Sequence, residues 1–172
     1  GSQNIFFGSV AGYSNTTGSL NNFIGFCAGY SNTFGCCNNF SGYLAGLNNT
    51  TGNANNFFGP FAGCCNTTGL NNNFIGNQAG LFNTIGASNN FFGYYAGGKN
   101  STGSCNTFLG RYAGCAVTTG SNNIALGNNA QVASATGSCQ LAIGSGGVTW
   151  LQGDSSGNVT VNSGTITLAT TP

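Results

Sequence analysis

The sequence predicts an all-β chain, a parallel β-solenoid of about nine 17-residue coils. Three observations lead there. Glycine recurs at positions 8, 25, 42, 59, 76, 93, 110, 127 and 144, evenly spaced and with no insertion. A phenylalanine column and an asparagine column keep the same step. The 31 glycines are too frequent for helices, and the repeat is too short for a helix-turn-helix unit. A strict short period of this kind marks a solenoid, in which each repeat is one coil stacked on the last.

The elements of a coil follow from the consensus N-N-F-F/I-G-x-x-A-G-x-x-N-T-T-G-S-x. N-N-F-F-G is the strand. The A-G segment is a corner or a second short strand, and the alanines from Ala11 to Ala130 read as a tight internal corner. N-T-T-G is the other turn, where glycine supplies positive φ and asparagine bonds its own backbone. At about 4.8 Å per coil, nine coils span roughly 43 Å.

The stretch Asn55–Gly69, NNFFGPFAGCCNTTG, sets two phenylalanines side by side. Neighbours on a strand point to opposite faces, so one column fills the coil and the other faces outward. One column holds Phe6, Phe23, Phe40, Phe57, Phe74, Phe91 and Phe108; the next holds Phe7, Ile24, Ser41, Phe58, Ile75, Phe92 and Leu109. We expect the seven-phenylalanine column to face outward and to be buried between copies of the chain. A soluble monomer does not carry an exposed patch of that size, and a strand buried on both faces reads as a continuous apolar run. The expected partner is therefore the chain itself, as a homotrimer or as a filament stacked end to end.

Two asparagine columns run through the chain, one from Asn4 to Asn123 with Gln140 after it, the other from Asn15 to Asn100. Stacked amides bond along the axis, a structural role. The repeat decays in NNIALG (Asn122–Gly127) and QLAIG (Gln140–Gly144). We divide the chain into a repeat solenoid, residues 1–146, and a C-terminal unit, residues 147–172. In the latter, Val159, Val161, Ile166 and Leu168 alternate as strands, forming a cap, a junction or a donated strand.

Composition excludes several function classes. Charged residues make up 2%, namely Lys99, Arg111 and Asp154, and there is no histidine. Acid/base catalysis, a histidine-assisted cysteine nucleophile and a hydrolytic metal site all lack their residues. No enzyme, cofactor or metal is expected. Two cations make no nucleic-acid surface, and no apolar run reaches the length of a membrane span.

The blocks SNNIALGNNAQVASATG and CQLAIGSG resemble the head repeats of trimeric autotransporter adhesins. NNFIGFCAGYSNTFG and NNFFGYYAGGKNSTG resemble the Asn/Gly repeats of phage tail-fibre-like and bacterial surface proteins. The adhesin resemblance implies a left-handed parallel β-roll with three chains around one axis. The constant period, the phenylalanine column and the cysteines depart from that pattern. The implied function is a structural extracellular fibre or shaft segment, on a cell surface or virion. The alternatives are a self-assembling filament subunit and a binding solenoid for ice or carbohydrate, such as a cell-surface glycan or host receptor.

Eight cysteines are present, without a C-x-x-C motif. The vicinal pairs Cys36-Cys37 and Cys64-Cys65 suit a ring of interchain disulfides in a threefold assembly, or equally serve as small buried apolar residues. Asn15, Asn49, Asn66 and Asn100 begin N-x-S/T sequons and are candidate glycosylation sites. The threonine column from Thr16 to Thr118 is the feature behind the ice reading. Exposed tyrosines are the feature behind the glycan reading.

Overall fold

The computed structural model describes residues 1–162. The chain is a parallel β-solenoid. Nine short strands stack along one axis: β1 (Ile5–Phe7), β2 (Asn22–Ile24), β3 (Asn39–Ser41), β4 (Asn56–Phe58), β5 (Asn73–Ile75), β6 (Asn90–Phe92), β7 (Thr107–Leu109), β8 (Ile124–Leu126) and β9 (Leu141–Ser145). Each is parallel to the next and pairs with it in a register of one whole repeat, so Phe40 sits over Phe57 and Phe57 over Phe74. Every side chain thus rests on its counterpart from the neighbouring coil.

Four side chains fill the interior of a complete coil. In the third they are Asn38, Phe40, Ala45 and Asn49, all 1% exposed or less. The same set recurs from the second coil, with Asn21 and Phe23, to the sixth, with Asn89 and Phe91. The phenylalanine rings from Phe6 to Phe108 stack face to face, with centroids 4.7–5.1 Å apart and planes within 9°. That is the offset-parallel spacing aromatic pairs favour, and it matches the spacing of the strands. Glycine makes room for the ring. A Cβ on Gly29, whose φ is 59°, would lie 2.5 Å from a carbon of the Phe23 ring.

The seven-phenylalanine column therefore lies inside one chain, not between chains, which corrects the expectation from sequence. Alternation gives the reason. Asn38 turns inward because its amide donates to Gly52 O at 2.7 Å. Phe40, two residues on, shares that face, while Asn39 and Ser41 point out. The outward column is the mixed one.

Corners bring a second surprise. Two columns of non-glycine residues adopt left-handed φ values, from 54° to 60° at Leu20, Cys37, Ala54 and Asn71 and from 51° to 58° at Val10, Cys27, Leu44 and Phe61. Each residue in that conformation costs roughly 1–2 kcal/mol. The ladder offsets this: Cys37 N donates to Ser19 O at 3.0 Å and Leu44 N to Phe26 O at 3.0 Å.

The stack turns back on itself after β9. Gly146 and Gly147, both at positive φ, close a hairpin to β10 (Val148–Gly153), which lies antiparallel on β9 and pairs with β11 (Val159–Val161). The described part of the C-terminal unit, residues 147–162, thus joins the same sheet. The expected strand around Ile166 and Leu168 lies outside the described residues.

Replacing Phe57 by Ala should remove one ring from the stack and leave a cavity. We expect a loss of about 3–5 kcal/mol in urea unfolding.

Candidate functional site

With the core assigned, the surface supplies the candidate site. The outward column of the sheet is apolar along the whole solenoid. Phe7, Ile24, Phe58, Ile75, Phe92 and Leu109 are all 36% exposed or more, and only Ser41 interrupts them. Beside this stripe runs an outward asparagine row, Asn22, Asn39, Asn56, Asn73 and Asn90. Within it Asn56 donates to Asn73 and Asn73 to Asn90, each at 2.8 Å. Asn22 Oδ1 is buried without a hydrogen-bond partner, because the coil before it places Ile5 at this position. No charged residue occupies either column. The result is a flat, neutral face with a period of one side chain per coil.

The inward asparagines are structural, by two different ladders. In one, the side-chain nitrogen of each residue donates to the previous coil: Asn49 to Asn32 Oδ1, Asn66 to Asn49 Oδ1 and Asn83 to Asn66 Oδ1, all at 2.8 Å. The same nitrogen reaches the turn, as from Asn66 to Gly69 O at 3.0 Å. In the other, a side-chain oxygen accepts a backbone N–H from the next coil, as Asn38 Oδ1 does from Asn55 N at 2.9 Å. Val117 ends the first ladder with a buried apolar side chain. Buried polar groups are tolerated only when bonded, and these are.

This geometry corrects the glycosylation expectation. Asn49, Asn66 and Asn100 are fully buried, and their amide nitrogens, where a glycan would attach, are held in the ladder. Asn15 lies at the first coil, half-buried, with Nδ2 donating to Gly18 O at 3.0 Å. The sequons are by-products of a turn that needs Asn followed by Thr.

The threonine column is also occupied with its own chain. Thr33 Oγ1 donates to Thr50 O at 3.1 Å and Thr50 Oγ1 to Thr67 O at 3.1 Å. The same carbonyl, Thr50 O, also takes the backbone N–H groups of Thr33, Phe34 and Gly35. These hydroxyls are spent on coil closure rather than presented as a water-ordering array.

All eight cysteines are free thiols, so no disulfide forms within the chain. Cys37 is exposed, Cys36 and Cys65 are half-buried, and Cys64 is buried. Burial, reinforced by the neighbouring Cys65, pushes the Cys64 thiol up to about 11. Burial raises Cys65 as well. Among the described residues no group of three or more His, Cys, Asp or Glu could hold a metal. Among them, too, no helix is long and apolar enough to cross a membrane. Asp154 closes a hairpin turn, accepting from Ser156 N, Asn158 N and Asn158 Nδ2 at 2.9–3.0 Å; these bonds hold its carboxyl below the usual range.

Comparisons of the chain with family models, with curated proteins and with solved structures give no match. What the chain itself shows is the architecture: stacked coils of constant length in a parallel solenoid with asparagine ladders.

The ladder makes one substitution diagnostic. Asn66→Asp removes both donated bonds and sets a carboxylate against Asn49 Oδ1 and Gly69 O. The folded chain should keep this carboxyl protonated, so its folded pKa rises above the unfolded value. Stability is then fully present below the unfolded value and is lost as pH rises towards the folded one. At pH 7 the loss should exceed about 3 kcal/mol, and melting at pH 3.5 against pH 7 reads it.

Proposed function

We propose that this chain is a structural segment of an extracellular fibre, a rigid shaft of an adhesin or phage-fibre type, on a cell surface or virion. The observation that carries this reading is the outward apolar stripe on a solenoid of constant period. The stripe is neutral, long and narrow. Its side chains repeat at the coil spacing, about 4.8 Å. A second copy of the chain carries the same spacing, so every row can interdigitate with a row of the partner. A partner of any other period matches only a few rows. Burial of one such side chain is worth roughly 1.5–3 kcal/mol, summed over many rows and over each copy.

The proposed assembly is a homotrimer with the stripes turned to a common axis. Cys36, Cys37, Cys64 and Cys65 are the candidates for disulfides between its chains. Catalysis has no part in this reading, and neither does nucleic acid. The function is mechanical: each added coil contributes ladder bonds, a stacked ring and a further row of the interface.

End-to-end polymerisation is the second reading. It needs an open strand edge at each end of the stack. The outer edge of β9 is taken by β10, which runs antiparallel, so the next coil of a neighbour cannot continue the parallel register there. That favours side-by-side association. The ice reading loses its hydroxyl array to the coil-to-coil bonds of the threonine column.

Light scattering on the intact chain, with and without reductant, tests the proposal. The expected mass is three chains, and Phe58→Asp with Ile75→Asp should give a monomer with an unchanged circular-dichroism spectrum. A wild-type monomer at micromolar concentration contradicts it.

A further inference from the structure

In a chain of near-identical coils, the places where columns break are the informative ones. Both basic side chains, Lys99 and Arg111, stand close together in the sequence, and three of the six tyrosines, Tyr94, Tyr95 and Tyr112, lie beside them. The structure gathers Arg111 and the tyrosines at one corner. The Arg111 guanidinium lies 4.5 Å from the centre of the Tyr112 ring and 5.7 Å from that of Tyr94. Tyr94 and Tyr112 meet edge to face at 5.2 Å, and Tyr95 meets Tyr112 at 5.9 Å. A shallow, open hollow of about 470 Å³ lies here, lined by Arg111, Tyr112, Cys115, Asn128, Asn129 and Gly146.

The corner is built rather than loose. Tyr112 N donates to Tyr94 O at 2.8 Å and Asn129 N to Arg111 O at 2.7 Å, which ties three successive coils together at this column. Gln131 braces the corner, donating from Nε2 to Tyr112 O at 2.6 Å and accepting at Oε1 from Ala116 N at 3.1 Å. Tyr112 and Asn129 hold left-handed backbone at φ 58° and 56°. The aromatic rings restrain the guanidinium, so less side-chain freedom is lost when it binds. Lys99 is near enough for its charge to favour the Cys115 thiolate, although burial raises that thiol overall.

Among the described residues the positive charge here has no carboxylate partner. The chain has one side-chain carboxylate, Asp154, and it is committed to Asn158 and Ser156. The lining combines a forked cation, two asparagine amides that each donate and accept, and a tyrosine ring. A planar carboxylate suits the guanidinium fork. Vicinal hydroxyls suit the amides, and the apolar face of a sugar ring suits an aromatic side chain. The volume is within the usual range of a small-molecule site, about 300–1,000 Å³.

We propose that this corner binds a carboxylated sugar, with Arg111 taking the carboxylate and Asn128 and Asn129 the hydroxyls.

Isothermal titration of the intact chain with trigalacturonate and with sialyllactose tests it, against maltotriose as a neutral sugar and inorganic sulfate as a simple anion. At least one carboxylated probe should bind, maltotriose should not, and sulfate should be at least tenfold weaker. Arg111→Gln should weaken binding about tenfold or more, as losing a charge-assisted bidentate pair does. Asn128→Ala, at an exposed position, should weaken it with the fold intact. Tyr13→Ala, in a stacked tyrosine pair far from any basic side chain, should change nothing. Binding of neither carboxylated probe overturns the proposal. Equal binding of maltotriose or sulfate overturns it, and so does undiminished binding by Arg111→Gln.

Discussion

The structure depends on one constraint: each residue lies on its counterpart one repeat away, at the spacing of hydrogen-bonded strands. Backbone bonding in parallel register sets that distance. Once it is set, the distance suits several other interactions at once. Phenylalanine rings stack within 4.7–5.1 Å of one another, and asparagine amides reach the next amide at 2.8 Å. Both are favourable at a spacing the backbone has already fixed. Adding or removing a single residue in one coil would misplace all of them together.

The same constraint explains the composition. A stacked column brings identical side chains together, so a charged residue repeated down a column would repel its own copies. Asparagine does not, because its amide both donates and accepts. The interior of a regular coil is therefore half polar and still satisfied. The three charged residues stand outside the core, at positions where the columns vary. Glycine is frequent because the coil is narrow: backbone of the next coil and the stacked ring occupy the space a Cβ would need.

Much of this was legible in the sequence. The period, the alanine corner and the axial role of asparagine all follow from columns of identical residues. The orientation of the strand did not follow, although a signal was present. The pure columns, Asn38 and Phe40 with their counterparts, are two residues apart and share one face. The mixed columns share the other. Interior positions allow one shape, whereas outward positions vary, so column purity marks the inside. The buried sequons mislead for a related reason, since a turn motif and an acceptor motif use the same residues. The left-handed corners at Leu44 and Cys37 carry no glycine and gave no local signal; backbone bonds between coils impose them. The return of the chain at Gly146–Gly147 is visible only as a loss of register. The hollow at Arg111 is not legible in the sequence, because its residues lie in different coils and break the columns instead of following them.

The coil-to-coil register is best tested by a pair of deletions. One removes a whole coil, residues 56–72, and the other removes Thr68 alone. The account predicts that the whole-coil deletion yields a shorter solenoid with a cooperative melt and an unchanged circular-dichroism shape. Loss of Thr68 shifts the turn of that coil out of register with both neighbours, and the melt should become broad and much lower. If the single deletion melts as well as the whole-coil deletion, stacking of each repeat on the next is not what holds this structure together.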